Sequence, residues 1–400
     1  MTRSIDDPSR RRLAQAIVLN EGFQVCFVFG PADAAQELVA TATADAARSK
    51  AEATTVAWFL PRDALVPYEG ERIREPHVWV LDTEVDEDAA VSTLSMLNRG
   101  RDTMATHPRT TLIVLLRESD AAIPLRAAPD LWSIRTLALS VSQEAGPDAA
   151  ALAEWASDCD AAFQRNLALR PEFAQRYELG TYSFAYQVWP ASPVQSTRRL
   201  RELMRGIAGW TGWRPWWVPE NKYRPYSADD GVLECWMVGP DSTFADPAHS
   251  DFWRASASGS MFLRRGYDED SNDKLAPGTA FSRNLPVWRA GEALFHAQQV
   301  AERLVEGYGR VRFSATWAGL EGRTTTEWPG SMYGGNEPTT TQRSAVSSVI
   351  ETDPDELRED LLGVLGRLLQ PLYDAFLEEP SQDYLARHLD EMRRRPVRAS

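Results

Sequence analysis

Apolar and polar positions follow two different patterns in the two halves of the chain. In the first half, short continuous apolar runs are separated by segments with helical spacing. Such runs are typical of strands that a parallel sheet buries on both faces. Right-handed crossovers between them predict a doubly wound α/β sheet. The predicted strands are residues 23–29, 54–60, 77–81, 111–116 and 134–141.

The second half alternates apolar and polar residues along its strands, for example TYSFAYQVW at 181–189. Period-two alternation predicts antiparallel strands, and residues 252–267 predict a strand pair or a strand with a bulge at Gly259. A helix is predicted at 353–377, interrupted near Pro371. Residues 324–341 are rich in Thr, Gly and Pro and predict a loop. This half is therefore predicted to be an α+β domain with a mainly antiparallel sheet.

This change of pattern predicts that the chain is divided into three segments. Residues 1–145 predict the α/β domain, 146–179 a connecting helix, and 180–400 a tryptophan-rich α+β domain. Ten of the 14 tryptophans lie beyond Gly180. The second domain therefore uses large amphipathic side chains where the first uses aliphatic ones.

Composition narrows the class of protein. At 400 residues, 43% hydrophobic and 25% charged, the chain is typical of globular proteins. A formal charge of -14 disfavours nucleic acid as a partner, because phosphate binding needs a surplus of Lys and Arg. Three scattered cysteines indicate buried thiols in a reducing compartment, and no apolar run approaches the length of a membrane span. We therefore expect a cytoplasmic protein without a membrane association.

The first strand runs into a helix through a turn that could hold phosphate. A phosphate-binding loop reads G-x-x-x-x-G-K-[ST], whereas residues 30–37 read GPADAAQE. The second glycine, the lysine and the hydroxyl are all missing. Asp33 would repel phosphate, and we interpret it as a helix N-cap. No cofactor and no metal are predicted.

Asp82 ends the apolar run 77–81, where nucleotide-hydrolysing P-loop proteins place a magnesium-binding acid. Without a lysine opposite, a helix cap or loop anchor is the favoured interpretation. An alternative reading keeps Asp82 as part of a nucleotide site.

The order of elements, with LNRGRD at 97–102, TLIVLL at 111–116 and APDLWSIR at 128–135, resembles the STAND-type P-loop domains of bacterial conflict and antiphage systems that have lost the phosphate-binding motif. The resemblance covers residues 10–142. It implies an inactive P-loop-like domain that docks to a partner protein or takes part in signalling.

The second half carries aromatic and acidic residues in a pattern that resembles the C-terminal module of bacterial Schlafen-like ATP-binding regulators. The pattern includes WR at 253–254, RGY at 265–267, PG at 277–278 and PVWR at 286–289. It covers roughly residues 180–390. The resemblance implies no particular chemistry.

A loop at 209–219 (GWTGWRPWWVP) is the candidate recognition surface. Gly and Pro punctuate it, which predicts that its indoles cannot all turn inward, and interfaces favour Trp and Arg. An ordinary core is the alternative. The candidate partner-binding residues are Trp210, Trp213, Arg214, Trp216 and Trp217.

An alternative catalytic site combines a helix and an acidic run. Glu292 and His296 stand four residues apart on the predicted helix 285–306, so they share a face. With Asp268 or Asp270 they could bind a metal or transfer protons. The second histidine of an H-E-x-x-H zinc site is missing, so a structural hydrogen bond is the favoured reading.

The missing phosphate-binding motif predicts a non-enzymatic adaptor or sensor, and the resemblance of residues 10–142 implies that it belongs to a bacterial antiphage or conflict system. Its partners would be proteins of the same system, with a peptide or small molecule as a trigger. The alternative is a nucleotide-binding or metal-dependent regulatory enzyme that uses Asp82 or the Glu292/His296 pair.

Overall fold

The computed structural model describes residues 8–50, 55–59, 77–83, 87–106, 109–141, 149–211, 214–220, 223–229, 231–237, 251–327 and 337–394. The chain divides into two compact units. The first comprises Met1–Gly146 with Glu306–Tyr308, and the second comprises Pro147–Val305 with Gly309–Ser400.

The first unit is built on a five-stranded parallel sheet with the order β2-β3-β4-β1-β5. This confirms the predicted doubly wound α/β fold. Its strands are β1 (Phe23–Phe29), β2 (Thr55–Phe59), β3 (His77–Asp82), β4 (Thr110–Leu116) and β5 (Leu137–Ser140). Its helices are α1 (Pro8–Leu19), α2 (Ala32–Lys50), α3 (Glu87–Arg99), α4 (Arg101–Met104), α5 (Ile123–Ala127) and α6 (Pro129–Ser133).

Helices cover both faces of this sheet, which explains the continuous apolar runs. Cys26 and Val28 face α1 and α2, whereas Phe27 and Phe29 face the cluster formed by α3 to α6. Trp132 belongs to the second cluster, with its ring 5.1 Å from that of Phe27. It is a core residue, 6% exposed. The segment around it is the short helix α6, so β5 starts three residues later than expected.

The strand order defines where this unit would hold a ligand. From β1 the chain crosses to the far edge of the sheet at β2, whereas from β4 it crosses in the opposite direction to β5. In open α/β sheets, ligands bind outside the carboxyl ends of the strands at such a switch point. The β1–α2 turn and the end of β3 lie at this edge.

The second unit contains a seven-stranded sheet with the order β14-β12-β6-β10-β9-β8-β7, in which every pairing is antiparallel. The predicted α+β fold with a mainly antiparallel sheet is confirmed. The strands are β6 (Thr181–Trp189), β7 (Tyr226–Asp229), β8 (Val232–Trp236), β9 (Phe252–Ser256), β10 (Ser260–Gly266), β11 (Ala280–Ser282), β12 (Arg310–Ala318), β13 (Thr324–Thr326) and β14 (Ala345–Thr352). The helices are α7 (Ala149–Ala168), α8 (Gln175–Glu178), α9 (Thr197–Arg205), α10 (Leu285–Leu304), α11 (Pro354–Glu359), α12 (Leu361–Asp374) and α13 (Gln382–Arg394).

Helix α10 is the centre of the second unit. It is buried on nearly all sides and shares one core with α12, α13 and one face of the sheet. Helix α7 covers the opposite face, where Phe163 packs 5.4 Å from Phe252. The segment predicted as a connecting helix thus forms part of the core of this unit.

Two local predictions in the second unit are wrong. The helix predicted at 353–377 is broken at Asp360, because Asp360 caps α12 by accepting the N–H of Gly363 at 2.9 Å. The predicted interruption near Pro371 is absent, since α12 continues through this residue. Within the predicted loop 324–341, β13 pairs in parallel with β11. Residues 328–336 of that loop lie outside the described residues.

The strand pair around Gly259 is present as β9 and β10. Gly259 has a φ of 89°, a left-handed conformation that side chains disfavour. All three cysteines are buried and free, as predicted. Burial raises the pKa of the Cys159 thiol to about 12. In the described part of the chain, no helix combines the length and apolarity needed to span a bilayer.

Candidate functional site

Two backbone N–H groups of the turn between β1 and α2 are bonded within the fold. Gly30 donates its N–H to the carbonyl of Leu116 in β4, at 2.9 Å. Pro31 has no N–H, and its carbonyl accepts the N–H of Ala35 at 2.9 Å. A phosphate cradle works by aiming free N–H groups at the anion. At these positions the donors are absent or already bonded within the protein.

Asp33 lies inside α2 and does not cap it, because the helix already begins at Ala32. The N-cap prediction for Asp33 is therefore wrong. Its carboxylate is exposed in the first turn of the helix. There it interacts favourably with the positive end of the helix dipole and would repel a phosphate group.

A hydrogen bond joins the two positions that define a nucleotide site. Counted from Gly30, Gln36 stands where the motif has its lysine. Gln36 Nε2 donates to Asp82 Oδ2 at 2.9 Å, which links α2 to the end of β3. A neutral amide thus contacts the acid at the end of β3, the position where P-loop proteins place a magnesium-binding acid. The sequence marks Asp82 as a candidate but carries no signal for its contact with Gln36.

The aromatic loop 209–219 is held against α10 by Glu292. Glu292 Oε1 accepts the N–H groups of Trp210 and Thr211, each at 2.7 Å, and Oε2 accepts the Thr211 hydroxyl at 2.7 Å. The carboxylate is 1% exposed. Glu292 therefore anchors this loop to α10, in line with the structural hydrogen bond that the sequence favoured, and its alternative role in catalysis stays a prediction.

Trp216 lies in the core and not on a recognition surface. It is 1% exposed, and its Nε1 donates to the carbonyl of Phe262 at 2.9 Å. Its ring stacks on His296 with centroids 4.6 Å apart. Its burial contradicts the choice of Trp216 as a candidate partner-binding residue; its backbone adopts a left-handed φ of 51° within the turn.

The other loop residues differ in exposure. Trp210 is half-buried, stacks on Phe295 with centroids 4.3 Å apart, and has the Arg393 guanidinium 4.7 Å from its centroid. Arg214 is half-buried and donates to the carbonyl of Ile207 at 2.7 Å. Trp217 is also half-buried. Trp213 lies outside the described residues, and partner binding by this loop stays a prediction.

His296 has its imidazole in an apolar environment. Its Nδ1 is 2.8 Å from the hydroxyl of Tyr186. Burial, reinforced by the positive charges of Arg214 and Arg303, lowers the pKa of His296 to about 3. The ring is therefore neutral near pH 7, so a proton-transfer role for His296 is not supported.

The two aspartates of the acidic run form two separate ion pairs. Asp268 receives two hydrogen bonds of 2.8 Å from Arg289, and Asp270 pairs with Arg323 at 2.7 Å. In the ranges that the structure describes, no group of three or more His, Cys, Asp and Glu residues is arranged to hold a metal ion. The predicted combination of Asp268 or Asp270 with Glu292 and His296 is therefore not assembled.

No sequence pattern marks the buried arginines that organise this region. Arg323 is 0% exposed and directly precedes the segment 324–341 that was predicted to be a loop. Its guanidinium donates to Asp270 and to the carbonyls of Leu179, Gly319 and Ala280. Only the spatial convergence of these four acceptors marks it as a core residue.

Comparison with known proteins gives no family. No family model matches the chain, and no curated protein matches it. Among solved structures, the chain is similar to Orc1 of Aeropyrum pernix in complex with DNA, with 16% identity, a TM-score of 0.26, and coverage of 38% of this chain and 48% of that chain. It is also similar to the DnaC helicase loader, with 16% identity, a TM-score of 0.24, and coverage of 35% and 94%. This chain thus spans about half the length of the Orc1 chain.

Proposed function

We propose that this protein is a non-enzymatic adaptor or sensor of a bacterial antiphage or conflict system. In this proposal the first unit docks to a partner protein and does not turn over nucleotide. The Gln36–Asp82 hydrogen bond is the observation that carries it. The sequence resemblance of residues 10–142 to inactive STAND-type domains supports the biological setting.

The charges at the switch point disfavour the binding of a polyphosphate. Phosphoryl transfer depends on a lysine and a metal ion that stabilise the charge on the phosphates. Here the lysine position carries a neutral amide, which is bonded to the acid at the metal position. Asp33 and Glu37 add two exposed carboxylates on the first turns of α2. A polyphosphate would therefore meet negative charge without a compensating cation from the motif.

For the sensing or recruiting role of the second unit, two half-buried tryptophans remain candidates. Trp210 and Trp217 keep part of their surface available, whereas Trp216 does not. The Arg393 guanidinium beside Trp210 adds the kind of aromatic and arginine pair that interfaces favour. We include these residues in the proposed partner surface.

Restoring the motif tests the proposal by gain of function. The variant Ala35→Gly/Gln36→Lys/Glu37→Thr supplies the missing glycine, lysine and hydroxyl and removes the Gln36–Asp82 bond. We expect millimolar ATP with magnesium to raise the melting temperature of this variant by several degrees and to leave that of the wild type unchanged. Differential scanning fluorimetry of both full-length proteins measures the two shifts.

The control is Asp82→Ala in the restored background, which should abolish the shift if the acid binds magnesium. A comparable shift in the wild-type protein would contradict the proposal, because it would mean that GPADAAQE binds nucleotide as it stands. The regulatory enzyme that uses Asp82 would then be the better account.

A further inference from the structure

A pocket in the second unit lies between one end of the seven-stranded sheet and the first turns of α10. Tyr182 in β6 and Trp317 in β12 are direct cross-strand partners and line it side by side. Tyr267 and Phe281 also contribute to the lining. The pocket has about 260 Å³ of non-atom space, including the part open to solvent. It is separate from the β1–α2 turn and from the aromatic loop.

The aromatic rings of the pocket pack against one another. The centroid of Tyr267 lies 6.1 Å from that of Tyr182 and 5.8 Å from that of Phe281. Aromatic faces attract cations through their quadrupole. Tyr267 already shows this property, because the Arg323 guanidinium lies 4.5 Å from its centroid. The walls are therefore suited to a positively charged group.

Charged side chains complete the lining. Asp268 and Arg289 form a two-pronged ion pair, so their charges largely cancel. Glu269 is 2% exposed and accepts the N–H of Ser282 at 2.6 Å. Among the described residues Glu269 forms no ion pair with an arginine, so a bound cation would balance its charge.

Tyr182 provides an independent indication of a ligand. Its side chain is 5% exposed, and its hydroxyl has no hydrogen-bond partner among the described residues. A buried polar group without a partner costs about 1–3 kcal/mol. Such groups in native structures call for a partner, and this one belongs to a residue that lines the pocket.

We propose that this pocket binds a primary ammonium group, carried by a free amine or by a lysine side chain of a partner. Tyr182 Oη accepts one N–H of the ammonium, Glu269 supplies the opposite charge, and the aromatic rings surround the alkyl stem. Arg289 does not repel the ligand strongly, because Asp268 neutralises it. This inference goes beyond the adaptor role and does not depend on it.

Binding should strengthen as the pH rises. Burial, with the nearby charge of Asp268, raises the pKa of Glu269 to about 7. An alkylammonium titrates near pH 10, so between pH 6 and pH 8 the ligand keeps its charge while Glu269 gains one. The other charged groups around Glu269 are Asp270 on the same short helix, Arg289 on α10 and Arg323 before β13.

The experiment is a calorimetric titration of the full-length protein with n-butylammonium and with 1-butanol, which has the same length and no charge. At pH 8 we expect n-butylammonium to bind about tenfold more tightly than 1-butanol. At pH 6 most of this difference in affinity should be lost. The N-acetyl methylamide of lysine, titrated in parallel, distinguishes a protein side chain from a free amine. Equal affinities for n-butylammonium and 1-butanol, or no binding of either, would overturn the proposal.

Two conservative variants separate the roles of the pocket residues. Glu269→Gln should weaken binding of n-butylammonium several-fold and remove the pH dependence. Tyr182→Phe should weaken the binding of n-butylammonium. It should leave the binding of tetramethylammonium unchanged, because this ion has no N–H to donate. Tyr226→Phe and Glu351→Gln, both outside the pocket lining, serve as matched controls and should change nothing. If Glu269→Gln binds n-butylammonium as well as the wild type does, the charge assignment is wrong and the proposal fails.

Discussion

Replacing Trp216 with alanine is expected to destabilise the second unit by about 4–5 kcal/mol, the upper range for truncation of a buried aromatic residue. The indole is 1% exposed and contacts the rings of Tyr186 and His296, at centroid distances of 5.3 and 4.6 Å. Its removal would also leave the carbonyl of Phe262 without the indole donor. The loss therefore combines a cavity with a broken buried hydrogen bond.

Urea-induced unfolding, followed by circular dichroism, measures this effect as a shift of the transition of the second unit. Trp210→Ala is the matched control, because it removes an indole from the same loop that is only half-buried. It should cost clearly less than Trp216→Ala. If both variants unfold like the wild type and instead lose a binding partner, Trp216 is a surface anchor and the core assignment is wrong.

Replacing Arg323 with methionine is expected to cost about 3–5 kcal/mol, because it leaves the Asp270 carboxylate buried without its counter-charge. Arg323 is 0% exposed, and its side chain and that of Asp270 are 0% and 1% accessible in the ion pair. Three backbone carbonyls also lose the donors of the guanidinium. The pair therefore fixes the turn before β13 onto the acidic run.

Chemical denaturation of Arg323→Met, Asp270→Asn and the double variant measures the coupling. The double variant should cost less than the sum of the two single variants, because the second change removes the uncompensated charge. Arg312→Met is the control, since Arg312 pairs with Glu351 across the exposed ends of β12 and β14. It should cost about 1 kcal/mol or less. Equal costs for Arg312→Met and Arg323→Met would contradict the role of the buried pair.

Local sequence patterns were sufficient to predict most strands. The continuous run FQVCFVF predicts β1, because a strand covered on both faces needs apolar residues at every position. Alternation predicts β6, β12 and β14, since each has one face against the helices. Gly259 marks the turn between β9 and β10, where a left-handed φ is required.

The candidate site depended on contacts between residues far apart in the sequence. Gln36 and Asp82 meet only because β1 and β3 both flank β4, a neighbour relation that no local pattern states. Trp216 turns inward because α10 supplies His296 beneath it. Arg323 is buried because Asp270, Ala280 and Leu179, all far away in the sequence, supply acceptors in addition to the nearby Gly319. Propensity and periodicity describe single elements, so they could not predict these tertiary contacts.

The measurement that tests the central claim most directly is phosphate release from ATP by the full-length wild-type protein in the presence of magnesium. Because Gln36 replaces the lysine and contacts Asp82, we predict no release above the protein-free rate. Asp82→Ala should give the same result. Saturable phosphate release by the wild type, lost in Asp82→Ala, would contradict the account and would identify the first unit as an active nucleotide hydrolase.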